Sequence, residues 1–135
     1  LAHVFKFVNA VEISELNYLA LENNINTFNL KNKMKCYHND INNIIDNLQQ
    51  DVIYIDAPWG GPNYKNKTKI DLYLGDIDIV DFYLMKKNIK SVFIFKVPCN
   101  YNFDKFYSKT KKDIYKYSYK KNDIIKYFYI LIDNK

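Results

Sequence analysis

Apolar residues recur along the chain in two rhythms, short β-branched runs and stretches with helical spacing. Phe7 to Glu12 is a short apolar run, and Ser14 then opens a helical pattern in which Leu16, Leu19, Ala20 and Asn23 share one face. Lys33 to Tyr37 predicts a weak strand. Asp40 is a good N-cap for a helix carrying Ile41, Ile44, Ile45 and Leu48 at i, i+3, i+4 and i+7. Val52 to Asp56 is almost continuously apolar, as expected of a central parallel strand covered on both faces. Residues 63–75 are polar and lysine-bearing, a long loop of the kind that usually serves function. A helix from about Ile77 to Lys87 follows, with Ile79, Val80, Tyr83 and Leu84 inward. Ser91 to Val97 predicts a second buried strand, stopped by Pro98, and Phe103, Phe106 and Tyr107 mark a short helix. Ile114 to Tyr119 alternates, Lys120 to Asp123 is a turn, and Ile124 to Ile132 is β-rich, so the chain closes on an antiparallel hairpin.

Strands alternating with helices, ending in a hairpin, predict an α/β fold with a mostly parallel sheet and an antiparallel edge. The 135 residues, 48% of them apolar, suffice for one domain with a real core, and neither repeats nor linkers divide them. No apolar run approaches the ~20 residues that span a bilayer, and the first residues lack a charged leader and a cleavage site. A soluble, intracellular protein, cytoplasmic or nuclear, is therefore expected. Cys36 and Cys99 stand far apart with no CxxC and no paired histidine, which argues against a disulfide framework or a metal site and for a reducing compartment. His3 and His38 read as surface residues, and the cysteines as small packing residues. Net charge is +5, and all twenty basic residues are lysines. Lysine attracts phosphate as a point charge but lacks the bidentate fork of arginine. The bias toward Lys, Asn, Ile and Tyr also follows from an AT-rich coding genome, so charge alone does not establish nucleic-acid binding.

Candidate chemistry concentrates in one place. Pro58-Trp59-Gly60-Gly61-Pro62 holds the only tryptophan, two of three glycines and two of three prolines, directly after Val52-Ile53-Tyr54-Ile55-Asp56. Glycine opens backbone conformations closed to other residues, proline fixes φ, and an indole offers a large flat face, so the turn suits a planar ligand. Open α/β sheets bind ligands at the carboxyl ends of their strands, where Glu12, Asp40 and Asp56 fall. A carboxylate at such an end can accept from both hydroxyls of a ribose, so Glu12 suits a nucleoside-containing cofactor. The segment Tyr115-Lys116-Tyr117-Ser118-Tyr119-Lys120-Lys121 has two readings, one face of a hairpin strand or a stacking and phosphate surface for RNA.

The strand-ending acid, Asn23-Asn24, Asp40 and the strand ending in Asp56-Ala57-Pro58-Trp59 resemble a class I S-adenosylmethionine-dependent methyltransferase acting on exocyclic amines. The continuation Gly60-Gly61-Pro62-Asn63-Tyr64 is similar to the RNA cap guanine-N2 methyltransferases, the trimethylguanosine synthase family. Ala10 to Thr27 and Val97-Pro98-Cys99-Asn100 extend the resemblance over nearly the whole chain. It implies a Rossmann-like sheet and S-adenosylmethionine as cofactor, held by Glu12 and Ile13 at the ribose and by Asp40 and Ile41 at the adenine, with Asp56 adjoining. It implies a catalytic group of Asp56, Pro58 and Trp59. The partner would be capped RNA, its base held by Trp59, Gly60, Gly61, Pro62, Tyr64 and Asn100 and its phosphates by Lys65, Lys67 and Lys69, with no metal, no membrane and a monomeric protein. Composition suggests a relative in a large virus. Three departures stand out: Ala57 replaces a proline, Cys99 replaces a basic residue, and the first strand with its glycine-rich loop would lie before Leu1, so a truncated domain is expected. Adenine-N6 methylation, or a non-catalytic cap- or RNA-binding subunit, are the alternative readings.

Overall fold

β1 (Val8–Glu12) and β2 (Met34–His38) pair in parallel, with Val8 opposite Met34 and Glu12 opposite His38. They belong to the first of two units, Leu1–Gln50 and Asp51–Lys135, into which the computed structural model of residues 1–135 divides. A parallel pair needs a crossover, supplied by α1 (Glu15–Thr27). Ser14 caps the helix by accepting from the Asn17 N–H, and Asn29 turns the chain after it at φ 52°. The stripe expected to pack is instead turned outward: Leu16 is 78% and Leu19 52% exposed. A second stripe of the same spacing, Tyr18, Leu21, Glu22 and Ile25, faces the strands, with Ile25 buried. It prevails because Tyr18 stacks on His38 of β2 at 5.2 Å, while its hydroxyl donates to Glu22 within the helix. That bond, then burial, raises the Tyr18 hydroxyl pKa to about 12. Asp40 caps α2 (Ile41–Ile44) as expected, but the helix tightens at once into a 3-10 turn, Ile45–Asn47, which buries Ile45.

The second unit carries a four-stranded sheet in the order β3-β6-β8-β7. β3 (Val52–Ile55) runs parallel to β6 (Val92–Pro98), β8 (Ile124–Asp133) antiparallel to β6, and β7 (Tyr115–Lys121) antiparallel to β8. The hairpin thus closes the chain as its pattern predicts. β3 differs from expectation: it lies at an edge of this sheet, and Tyr54 is 37% exposed, because a continuous apolar run does not say which of its faces is covered. Alternation sends Ile53, Ile55, Phe93, Phe95, Val97, Ile130 and Ile132 to one buried face. Against it pack residues of α3 (Ile79–Lys86) and α4 (Asp104–Lys109), with ring centroids of Tyr83–Phe93 and Phe95–Phe106 both 5.4 Å apart.

The long polar stretch holds a 3-10 turn, Pro62–Asn66, and β4 (Tyr73–Leu74), which pairs with β5 (Ile77–Asp78). α3 therefore starts later than its apolar pattern suggests, because Asp78 accepts from the Val80 N–H as its cap. Phe82 is fully buried, whereas Leu84 is only half-buried. Lys105 Nζ reaches Asp78 at 2.6 Å and Asp71 at 3.3 Å, tying α4 to the start of α3. The hydrogen bond to Asp78 is the main reason the Lys105 pKa rises to about 12. No helix is long and apolar enough to cross a membrane.

Candidate active site

Asp56 follows β3, and the chain then turns through Ala57, Pro58, Trp59, Gly60 and Gly61. Gly60 at φ 87° and Gly61 at φ 71° occupy the left-handed region, and a Cβ on either would meet nothing within 4 Å. Backbone freedom rather than space requires glycine there. Pro62 opens the 3-10 turn that presents Tyr64, whose ring meets Trp59 edge-on at 5.3 Å. Asn100, just past β6, donates its amide to the Tyr64 and Lys67 carbonyls, both at 2.8 Å, and so fastens this turn to the end of the neighbouring strand.

These segments enclose a cavity of about 510 Å³. Trp59, Tyr64 and Lys65 come from the turn, Cys99 and Asn100 from the end of β6, and Ile125, Lys126 and Tyr127 from β8. Its size suits a nucleotide-sized ligand. Two lining residues carry buried polar atoms with no partner in the protein, the Trp59 Nε1 donor and the Asn100 Oδ1 acceptor. Buried polar groups are nearly always paired, so these two atoms leave the hydrogen-bonding capacity of the lining residues unfilled within the protein.

Sequence reasoning did not foresee Lys96. Its Nζ pairs with Asp56 Oδ2 at 2.7 Å and lies 5.2 Å from the Trp59 ring centroid and 5.3 Å from that of Tyr127. The signal was present as one lysine inside an otherwise apolar strand, Val92–Pro98, since a charge there needs a partner across the sheet. Burial first, and then the Asp56 charge, push the Tyr54 hydroxyl above its ordinary range, so it stays protonated beside the site. Of the three lysines expected at phosphates, Lys65 borders the cavity, while Lys69 pairs with Asp104 at 2.7 Å and Lys67 lends its carbonyl to Asn100. Lys126 borders the cavity as well. The Cys99 thiol donates to the Ile125 carbonyl at 3.0 Å, fastening β8 there.

In the first unit, Glu12 and Asp40 lie at the carboxyl ends of neighbouring parallel strands. Glu12 Oε1 accepts from the Ser14 N–H at 2.8 Å, and Asp40 Oδ1 accepts from both nitrogens of Asn42 at 2.8 Å. Each carboxylate is oriented through one oxygen, which leaves Glu12 Oε2 and Asp40 Oδ2 to receive donors from a ligand. Ile13 is exposed and Ile41 half-buried beside them. His38 joins the Ile13 carbonyl through Nε2 at 3.2 Å.

The family model described as RNA cap guanine-N2 methyltransferase matches residues 1–135. The uncharacterized protein L320 of Acanthamoeba polyphaga mimivirus is 35% identical over 136 residues, 97% of this chain and 51% of its own length. The chain thus spans about half of that relative, whose source accords with the viral kinship that composition suggests. An rRNA methylase from Streptococcus thermophilus superposes with a TM-score of 0.58 at 8% identity, over 98% of this chain and 76% of its own. A protein proposed to be an rRNA methylase from Clostridium thermocellum gives the same score and identity, over 94% of this chain and 74% of its own. At such identity the likeness is one of fold alone, a mixed α/β architecture. With the family match running from Leu1 to Lys135, this chain belongs to the RNA cap guanine-N2 methyltransferase family.

Proposed function

We propose that the protein, as a monomer, transfers a methyl group from S-adenosylmethionine to the exocyclic N2 amine of the 7-methylguanosine cap of RNA. The observation that carries the reading is the cavity lined by Trp59 and Asn100, each with a buried polar atom unpaired within the protein, together with Lys65 and Lys126. Guanine has both donors and acceptors on its edges, and its 7-methyl form is cationic, so an indole face attracts it more than a neutral base. The lysines suit the phosphates that follow.

The free oxygens of Glu12 and Asp40 fit a nucleoside: Glu12 would take the ribose hydroxyls, with Ile13 beside it, and Asp40 with the Ile41 backbone the adenine. S-adenosylmethionine supplies an electrophilic methyl on a sulfonium. An exocyclic amine is a weak nucleophile, because its lone pair is delocalised into the ring, so holding it in line is most of the catalysis. Asp56, with the carbonyls of Ala57 and Pro58, accepts from the amine and draws off charge as the nitrogen becomes cationic. Lys96 orients that carboxylate through its ion pair.

Trp59→Ala should weaken binding of 7-methylguanosine triphosphate about tenfold or more, from the ~1–3 kcal/mol of one stacked base, and should reduce labelled-methyl transfer to capped RNA to background. Transfer at the wild-type rate would refute the stacking role. Free cap analogue should compete with capped RNA, and indifference to it would point to another base.

A further inference from the structure

The outer hairpin carries an aromatic track that begins at the cavity wall. Tyr127, which lines the cavity, stacks on Tyr119 with ring centroids 4.7 Å apart and planes 9° from parallel. Tyr117 and Tyr115 continue the same face of β7, two and four residues before Tyr119 in the strand. They are exposed to 49% for Tyr115, 56% for Tyr117 and 45% for Tyr119, and every residue of β7 is exposed. On the opposite face Lys116 is committed to the core side, its Nζ 4.7 Å from the Phe103 ring centroid and 5.2 Å from that of Phe128. Register shifts between Tyr119 and Lys120, so that Tyr127 pairs with Tyr119 and Ile125 with Lys120. Lys126 is the residue left over, beside the cavity. The hairpin from Tyr115 to Lys126 holds four lysines against one aspartate, Asp123.

A sheet edge is protected from aggregation by its lysines alone. Three half-exposed tyrosines in a row add stacking faces that a bare edge does not need. Aromatic platforms flanked by lysines suit single-stranded nucleic acid, whose bases stack without regard to sequence and whose phosphates take point charges. A protein partner would find little closed apolar surface here, and the charge is predominantly positive. We propose that Tyr119, Tyr117 and Tyr115 stack bases of the single-stranded RNA that follows the capped nucleotide, with Lys121 and Lys126 along its phosphates. The direction of the track rests on the cavity taking the cap base.

Fluorescence anisotropy tests it with three probes: a ten-nucleotide RNA bearing a 7-methylguanosine cap, the same RNA uncapped, and 7-methylguanosine triphosphate. Tyr117→Ser combined with Tyr119→Ser should weaken both RNAs about tenfold or more and leave the triphosphate unchanged, with thermal unfolding lowered only by loss of the Tyr119–Tyr127 stack. Tyr117→Phe with Tyr119→Phe should bind as wild type, since the ring rather than the hydroxyl stacks. Wild-type RNA affinity in the serine variant would overturn the track, and so would wild-type protein that binds neither RNA. Lowered thermal stability with unchanged RNA affinity would show that another segment of the protein covers the tyrosines, and would overturn it too. Failure of the triphosphate alone to bind wild-type protein would instead refute the cap reading, while tyrosine-dependent binding of uncapped RNA would still uphold the stacking surface.

Discussion

Asp56→Asn should slow methyl transfer to capped RNA by about 100-fold or more, while cap affinity changes little, because an acceptor for the reacting amine matters most as nitrogen gains charge. The substitution keeps the shape of the side chain but removes the charge that pairs with Lys96 and that the proposed mechanism directs at the amine. Stability should hardly change: the carboxylate is 44% exposed and its lysine partner 24%, a setting in which ion pairs contribute ~0–1 kcal/mol. Single-turnover transfer of labelled methyl at saturating capped RNA separates the rate from binding. Lys96→Met should also slow transfer, by orienting Asp56 less well, and the double variant should be no slower than Asp56→Asn alone, since both act through one pair. A single-turnover rate for Asp56→Asn within threefold of wild type would remove Asp56 from the chemistry.

Phe95→Ala is expected to cost roughly 3–5 kcal/mol of stability, the range for deleting a fully buried phenylalanine. Phe95 has no exposed surface and lies between rings on three elements: Phe93 at 6.2 Å on its own strand, Tyr83 at 6.5 Å on α3 and Phe106 at 5.4 Å on α4. Truncation leaves a cavity that β6 cannot close, because β3 and β8 hold it on both sides by backbone ladders. Urea unfolding monitored by circular dichroism reads the shift in midpoint at constant slope. A loss below about 1 kcal/mol would mean that the layer between this sheet and its two helices is not packed as described. The contrast with Tyr117→Ser, on the exposed side of the same sheet, is a second check.

Much of the fold is legible in the chain wherever the cause is local. Ser14, Asp40 and the Pro58–Pro62 turn act on neighbouring backbone, so capping and φ constraints can be read without knowing what lies across the fold. The hairpin is legible for the same reason, since alternation and a turn recur within twenty residues. The 3-10 turn after Ile44 and the short β4–β5 pair were not, because neither has a period long enough to register.

The sequence by itself determined the order of the main strands and helices, the strand ends that carry Glu12, Asp40 and Asp56, and the family signature at Trp59-Gly60-Gly61-Pro62. Only tertiary structure decided which of two equally spaced stripes of α1 turns inward, since both satisfy the helical period and the choice belongs to the surface that receives them. It also decided that Lys96 meets Asp56, forty residues away, between Trp59 and Tyr127, and that the Asn100 amide fastens the turn while its carbonyl oxygen is left without a partner in the protein. Those relations depend on strand register across the sheet, which no local pattern encodes.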